Sequence, residues 1–201
     1  GNGVTCPGTP VEFDITVNPT PTVNPVPNQT VCNNTPTTPV LFSSPVAGTV
    51  FNWTNNNISI GLGASGIGSI PAFIALNNTV SPVTATITVT PLFTNNGVQC
   101  SGSPVIFTIT VNPTPTVAPV ASQLLCSGET TAAVAFTGTV PGTVFNWTNS
   151  NTGIGLAASG TGDIPPFVTL NAGNTPLVAT ITVTPTFTNN GVTCSGTPIQ
   201  F

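Results

Sequence analysis

The sequence predicts an all-β chain of β-sandwich units in tandem, and three observations predict it. The chain matches itself at an offset of 94 residues, the mark of a repeat architecture. Within each copy apolar residues recur at every second position, the period of a strand with one buried face. Clusters of Gly, Asn and Pro interrupt these runs at short intervals, and no segment keeps a helical period.

The repeat is dense enough to set boundaries. Asn18-Pro19-Thr20-Pro21-Thr22-Val23 returns as Asn112-Pro113-Thr114-Pro115-Thr116-Val117, and Phe51-Asn52-Trp53-Thr54 returns as Phe145-Asn146-Trp147-Thr148. Ala85 to Pro91 returns unchanged as Ala179 to Pro185. The register also runs backwards, because Asn2-Gly3-Val4-Thr5-Cys6 matches Asn96-Gly97-Val98-Gln99-Cys100 and Asn190-Gly191-Val192-Thr193-Cys194. Residues 1–18 are therefore expected to be the terminal hairpin and strand of a preceding repeat. Residues 19–112 form a complete sandwich repeat, and 113–201 form a second that lacks a counterpart of the strand Thr108–Val111. We expect the sequence to be an internal window of a longer precursor. One continuous polypeptide is the preferred reading of this frame; the alternative, suggested by the spare copy of that strand near residue 17, is assembly by strand donation between molecules.

The elements follow in order. In Val83-Thr84-Ala85-Thr86-Ile87-Thr88-Val89-Thr90 the odd positions are apolar and the even ones mostly Thr. Val105, Phe107, Ile109 and Val111 alternate in the same way. Both read as strands with one face in the core. Phe51 and Trp53, with Phe145 and Trp147 in the second copy, share one face of an earlier strand and are expected in the core. About seven short strands in roughly 90 residues, with an inward Trp, read as an immunoglobulin-like sandwich. Asn18, Pro19 and Pro21, with Asn112, Pro113 and Pro115, look like linkers, since alternating Pro cannot pair in a central strand and favours an extended spacer.

Composition removes whole classes of function. There is no Lys, Arg, His, Met or Tyr, and 2% of residues are charged against about a quarter in an average protein. Without cationic side chains the chain cannot neutralise phosphates, so nucleic-acid binding and attachment to anionic membranes are not expected. No apolar run reaches the roughly 18 residues of a membrane-spanning helix. Yet 39% of residues are hydrophobic, which suffices for a core and argues against disorder.

The four acids are Glu12, Asp14, Glu129 and Asp163. Their counterparts in other copies are neutral (Ile106, Thr108, Thr35 and Ser69), so they read as surface substitutions. No catalytic residue, cofactor site or metal site is expected, because acid–base work and calcium binding both need placed or clustered ligands.

The five cysteines keep the repeat's register, with Cys6, Cys100 and Cys194 in one set and Cys32 and Cys126 in the other. The simplest pairing lies within a unit, Cys32 with Cys100 and Cys126 with Cys194, with Cys6 pairing outside the window. The alternative bridges the linker, Cys6–Cys32 and Cys100–Cys126. Without His or a Cys-x-x-Cys spacing, metal binding is the weaker reading. Paired cysteines point to an oxidising compartment, and hence to an extracellular or cell-surface location.

The cassette Thr-Ile-Thr-Val-Thr-Pro, then Asn-Asn-Gly-Val-x-Cys-Ser-Gly-x-Pro, then Val-Asn-Pro-Thr-Pro-Thr-Val resembles the PKD-like repeats of giant Bacteroidetes surface proteins. That resemblance covers the whole chain. It implies a type IX-secreted adhesin or filament protein, whose partners are neighbouring repeats or copies of itself. The expected function is thus a structural repeat of a surface fibre or adhesin stalk, not an enzyme. The alternative is a module that binds surface glycans, for which Trp53 and Trp147 are the only large stacking platforms.

Overall fold

A computed structural model describes all 201 residues. The chain is all-β, with two sheets, one in each half of the chain, and only two single-turn 3-10 helices, Ile58–Ile60 and Thr152–Ile154. The first sheet comprises β1 (Gln29–Cys32), β2 (Val50–Asn55), β3 (Ser65–Ile67), β4 (Val83–Asn95), β5 (Val98–Ser101) and β6 (Val105–Asn112). Its order is β1-β6-β4-β2-β3, with β5 on the far half of β4. The second sheet comprises β7 (Val144–Asn149), β8 (Ser159–Thr161), β9 (Ile181–Asn189), β10 (Val192–Ser195) and β11 (Ile199–Gln200). Its order is β10-β9-β7-β8, with β11 also on β9.

Pairings in the two sheets correspond at the sequence offset. Val50↔Leu92 is matched by Val144↔Thr186, and Trp53↔Gly66 by Trp147↔Gly160.

The longest strand, β4, shows why alternation folds this way. Ala85, Ile87, Val89 and Pro91 are buried, while the Thr residues between them face outward. The Thr side is not fully wet: Thr86, Thr88 and Thr90 are half-buried, and Thr84 shares a hydroxyl hydrogen bond of 2.9 Å with Thr110 on β6. Such cross-strand pairs support the sheet on its outer face. Pro91 is tolerated inside β4 because the strand changes partner there, from β6 up to Val89 to β5 from Leu92. Its carbonyl accepts from the Gly102 amide at the crossover, on the side where an N–H would otherwise need an acceptor.

Facing each sheet is a second layer with little ladder of its own. In the first unit it is held by the isolated bridges Pro36↔Ile74 and Val40↔Ile70, and in the second by Thr130↔Val168 and Val134↔Ile164. Between the layers lie Val40, Trp53, Ile60, Ile70, Ile87 and Phe107 in the first core, and Val134, Trp147, Ile164 and Val183 in the second. Phe51 and Phe145 are half-buried at the edges of these cores, each 5.7 Å from a Phe ring, Phe42 and Phe136. Each indole lies on a glycine: a Cβ at Gly66 would stand 2.3 Å from the Trp53 ring, and one at Gly160 2.2 Å from Trp147.

Residues 1–17, the sequence counterpart of a terminal hairpin and strand, pair with nothing in this chain and are exposed throughout. Their apolar positions cannot form a strand without a sheet to complete, since an isolated two-stranded ribbon is at best marginal in water. The Pro segments, expected as linkers, are not free spacers. Pro21, Pro113 and Pro115 are buried, and Pro19 alone of the four is exposed. The backbone packs so closely that a Cβ at Gly102 would come within 1.8 Å of the Pro21 carbonyl oxygen, and one at Gly196 equally close to that of Pro115. Each Pro segment is built into the unit that follows it.

Candidate functional site

The feature most specific to this chain is the junction between the two units. It starts from β1, which joins the sheet by a parallel pairing with β6 that places Cys32 beside Asn112. Both residues therefore reach the same end of the first sheet. From the second unit the hairpin β9–β10 comes down onto that end. Its two-residue turn is Asn190-Gly191, with φ of 49° and 75°. Positive φ at both positions is what a tight hairpin turn with the strands' own twist requires, and Asn-Gly supplies it at least cost.

One covalent bond and four hydrogen bonds close the junction. Cys32 is disulfide-bonded to Cys194 on β10, across a sequence separation of 162. The fully buried Asn112 donates through Nδ2 to the carbonyls of Asn189 and Val192, both at 3.3 Å, and its Oδ1 accepts from Asn189 Nδ2 at 2.9 Å. Asn190 Nδ2 donates to Thr30 Oγ1 at 3.4 Å. On the same end, Asn33 donates its backbone N–H to the Asn112 carbonyl and its side-chain amide to Thr114 Oγ1. The connecting strand is thus gripped from both sides, and the grip is neutral. Amides and a covalent bond do what ion pairs cannot do in a chain with no basic residue.

The bond corrects the expected pairing within a unit. Cys32 does not bond Cys100, and Cys126 does not bond Cys194; Cys6, Cys100 and Cys126 carry free thiols. Nor does the alternative set Cys6–Cys32 and Cys100–Cys126 form. The physical reason is the topology of β1. Its parallel pairing carries Cys32 to the end of the sheet that meets the next hairpin, beside Thr193 and Cys194, whereas Cys100 on β5 pairs with Phe93 on the far half of β4.

Two of the four acids have structural partners. Asp163 Oδ1 accepts from the Phe136 amide at 2.9 Å, as Ser69 Oγ accepts from Phe42 in the first unit. Glu129 Oε2 accepts from the Cys126 amide at 2.7 Å and closes a turn. Glu12 and Asp14 lie in the exposed first segment. No group of three or more His, Cys, Asp or Glu side chains is placed to hold a metal ion. Trp53 and Trp147 are 7% and 6% exposed, so neither indole offers a face to a sugar ring. No helix is long and apolar enough to cross a membrane.

A groove of about 510 Å3 opens in the second unit between residues 122–127 and 176–181. Leu125, Val134, Leu156, Phe167 and Ile181 are among its walls. The corresponding place in the first unit is occupied by β6, between β1 and β4. Neither a protein-family model nor a curated protein matches the chain.

Proposed function

We propose that the chain is a structural stretch of an extracellular surface fibre or adhesin stalk, made of tandem immunoglobulin-like units and without catalytic activity. The observation that carries this reading is the Cys32–Cys194 bond, which couples one unit to the next rather than stapling either core. A bond so placed resists separation of units under tension. It persists only where thiols are not kept reduced, which suits a surface or secreted protein. The resemblance of the cassette to PKD-like repeats of Bacteroidetes surface proteins supports the same assignment. So does a surface of Thr and Asn amides without Lys or Arg, which denies trypsin-like proteases a cleavage site.

The test is antibody labelling of intact source cells, with electron microscopy of the labelled material. Surface-bound thin filaments are expected. Signal that appears only after lysis, or label confined to globular particles, would remove the fibre reading.

A further inference from the structure

Most of the molecule lies inside the loop that the Cys32–Cys194 bond closes. All the buried residues of the second hydrophobic core lie between the two cysteines, and so do those of the first apart from Val23. Strands β2 to β9 and the connecting segment from Asn112 to Val117 are inside it as well. Only β1, which Cys32 ends, and the short β11 lie on the chain outside the loop. Yet the two ends of this long loop meet, with the Cα atoms of Cys32 and Cys194 5.6 Å apart.

That arrangement fixes where tension along the chain must run, whatever lies before Cys32 or beyond Cys194. A pull from the N-terminal side passes along β1 into Cys32, which stands at the end of that strand. It crosses the two sulfurs to Cys194 and leaves through Ser195. The backbone between the cysteines is a slack branch beside this short covalent path. Pairing inside each unit, Cys32 with Cys100 and Cys126 with Cys194, would act differently. It would shield each core separately and leave residues 101–125 in the path. The amide hydrogen bonds of Asn112 at the junction would then carry the load.

We infer that the Cys32–Cys194 bond is a load shunt, which carries tension past both cores and past the junction between them. This deepens the proposed fibre function and rests on it. Under pull the oxidised chain is nearly inextensible, because only the residues outside the loop can be drawn out. An extended chain spans about 3.3–3.6 Å per residue, so a loop of 162 residues holds back about 530–580 Å. Opening the bond places both cores in the path, and the stiff element becomes an extensible one.

The experiment stretches the full chain in an optical trap, with its three free thiols alkylated and handles ligated to its two ends. The load is one that unfolds the double variant Cys32→Ser, Cys194→Ser. The bonded chain should show no core-unfolding step at that load. Dithiothreitol is then added; its two thiols become a cyclic disulfide as the cysteine bond opens to two thiols. About 530–580 Å of further extension is expected in the same molecule. Extension of that size before reductant, or none after it, would overturn the inference. A step of about 90 Å before reductant, the 26 residues from Cys100 to Cys126, would report pairing inside the units and overturn it too. The reductant arm uses the unsubstituted cysteines, so with the load ramped upward it decides the matter even where the Ser variant does not fold. Labelled cells without filaments would remove the fibre reading, while the load path, a property of the single chain, is decided by the trap.

Discussion

Asn112 and Asn189 bond each other in both directions across the junction, and at the other end of the first unit Asn95 donates to Asn18 as Asn189 does to Asn112. An amide is suited to this place because it donates and accepts at once. Asn112 can therefore satisfy two carbonyls and one N–H of the opposing hairpin without any charge being buried. Replacing it with Ala should leave the Asn189 amide and two carbonyls short of partners. The expected loss is about 1–3 kcal/mol, read from chemical denaturation of the second unit. An unchanged midpoint would mean that the disulfide alone holds the junction.

The Cys32–Cys194 bond closes a long loop, and the chain-entropy estimate for such a loop is on the order of 5 kcal/mol, with strain and residual structure able to reduce it. The double variant Cys32→Ser, Cys194→Ser should keep both cores, because neither core depends on the bond for its packing. Its two units should melt separately in calorimetry, where the bonded chain melts as a coupled pair. A single transition at the original temperature would count against coupling through the bond.

The strands and their turns were legible in the sequence, but the covalent register was not. Thr84 to Thr90 alternates so regularly that β4 and its buried face could be read directly, and Asn-Asn-Gly marks the hairpin that caps each unit. Repetition itself hid the partner of Cys32. Cys100 and Cys194 occupy equivalent positions, so one copy's spacing cannot distinguish a bond inside a unit from a bond to the next. What decides it is the parallel placement of β1, a long-range pairing that local alternation does not reveal. The Pro segments misled for a related reason. Alternating Pro reads as an exposed spacer, whereas here Pro21, Pro113 and Pro115 are buried against the unit that follows.

Gly66 lies under the Trp53 indole, and the cost of filling that contact is measurable. Gly66→Ala puts a methyl 2.3 Å from a ring that is itself fixed in the core. The expected destabilisation is about 1–3 kcal/mol, the usual cost of overpacking. Gly63→Ala is the control, because its nearest neighbour is 4.0 Å away and its φ is not positive. It should shift the thermal midpoint little. Equal effects at the two sites would show that backbone freedom, not the indole, sets the requirement.

Phe107 and Phe13 occupy equivalent sequence positions with opposite surroundings. Phe107→Ala should cost about 3–5 kcal/mol by emptying the first core. Phe13→Ala should change stability by no more than about 0.5 kcal/mol, as expected for an exposed site. Comparable losses at both positions would mean that the first segment is packed against the body of its own chain.

The junction disulfide is tested most directly by peptide mapping of the native protein under non-reducing conditions, using a protease that needs neither Lys nor Arg. A linked peptide pair containing Cys32 and Cys194 is the predicted result. Cys32 recovered on a peptide with Cys100, with Cys126 bonded to Cys194, would contradict it and return the bond to the interior of each unit.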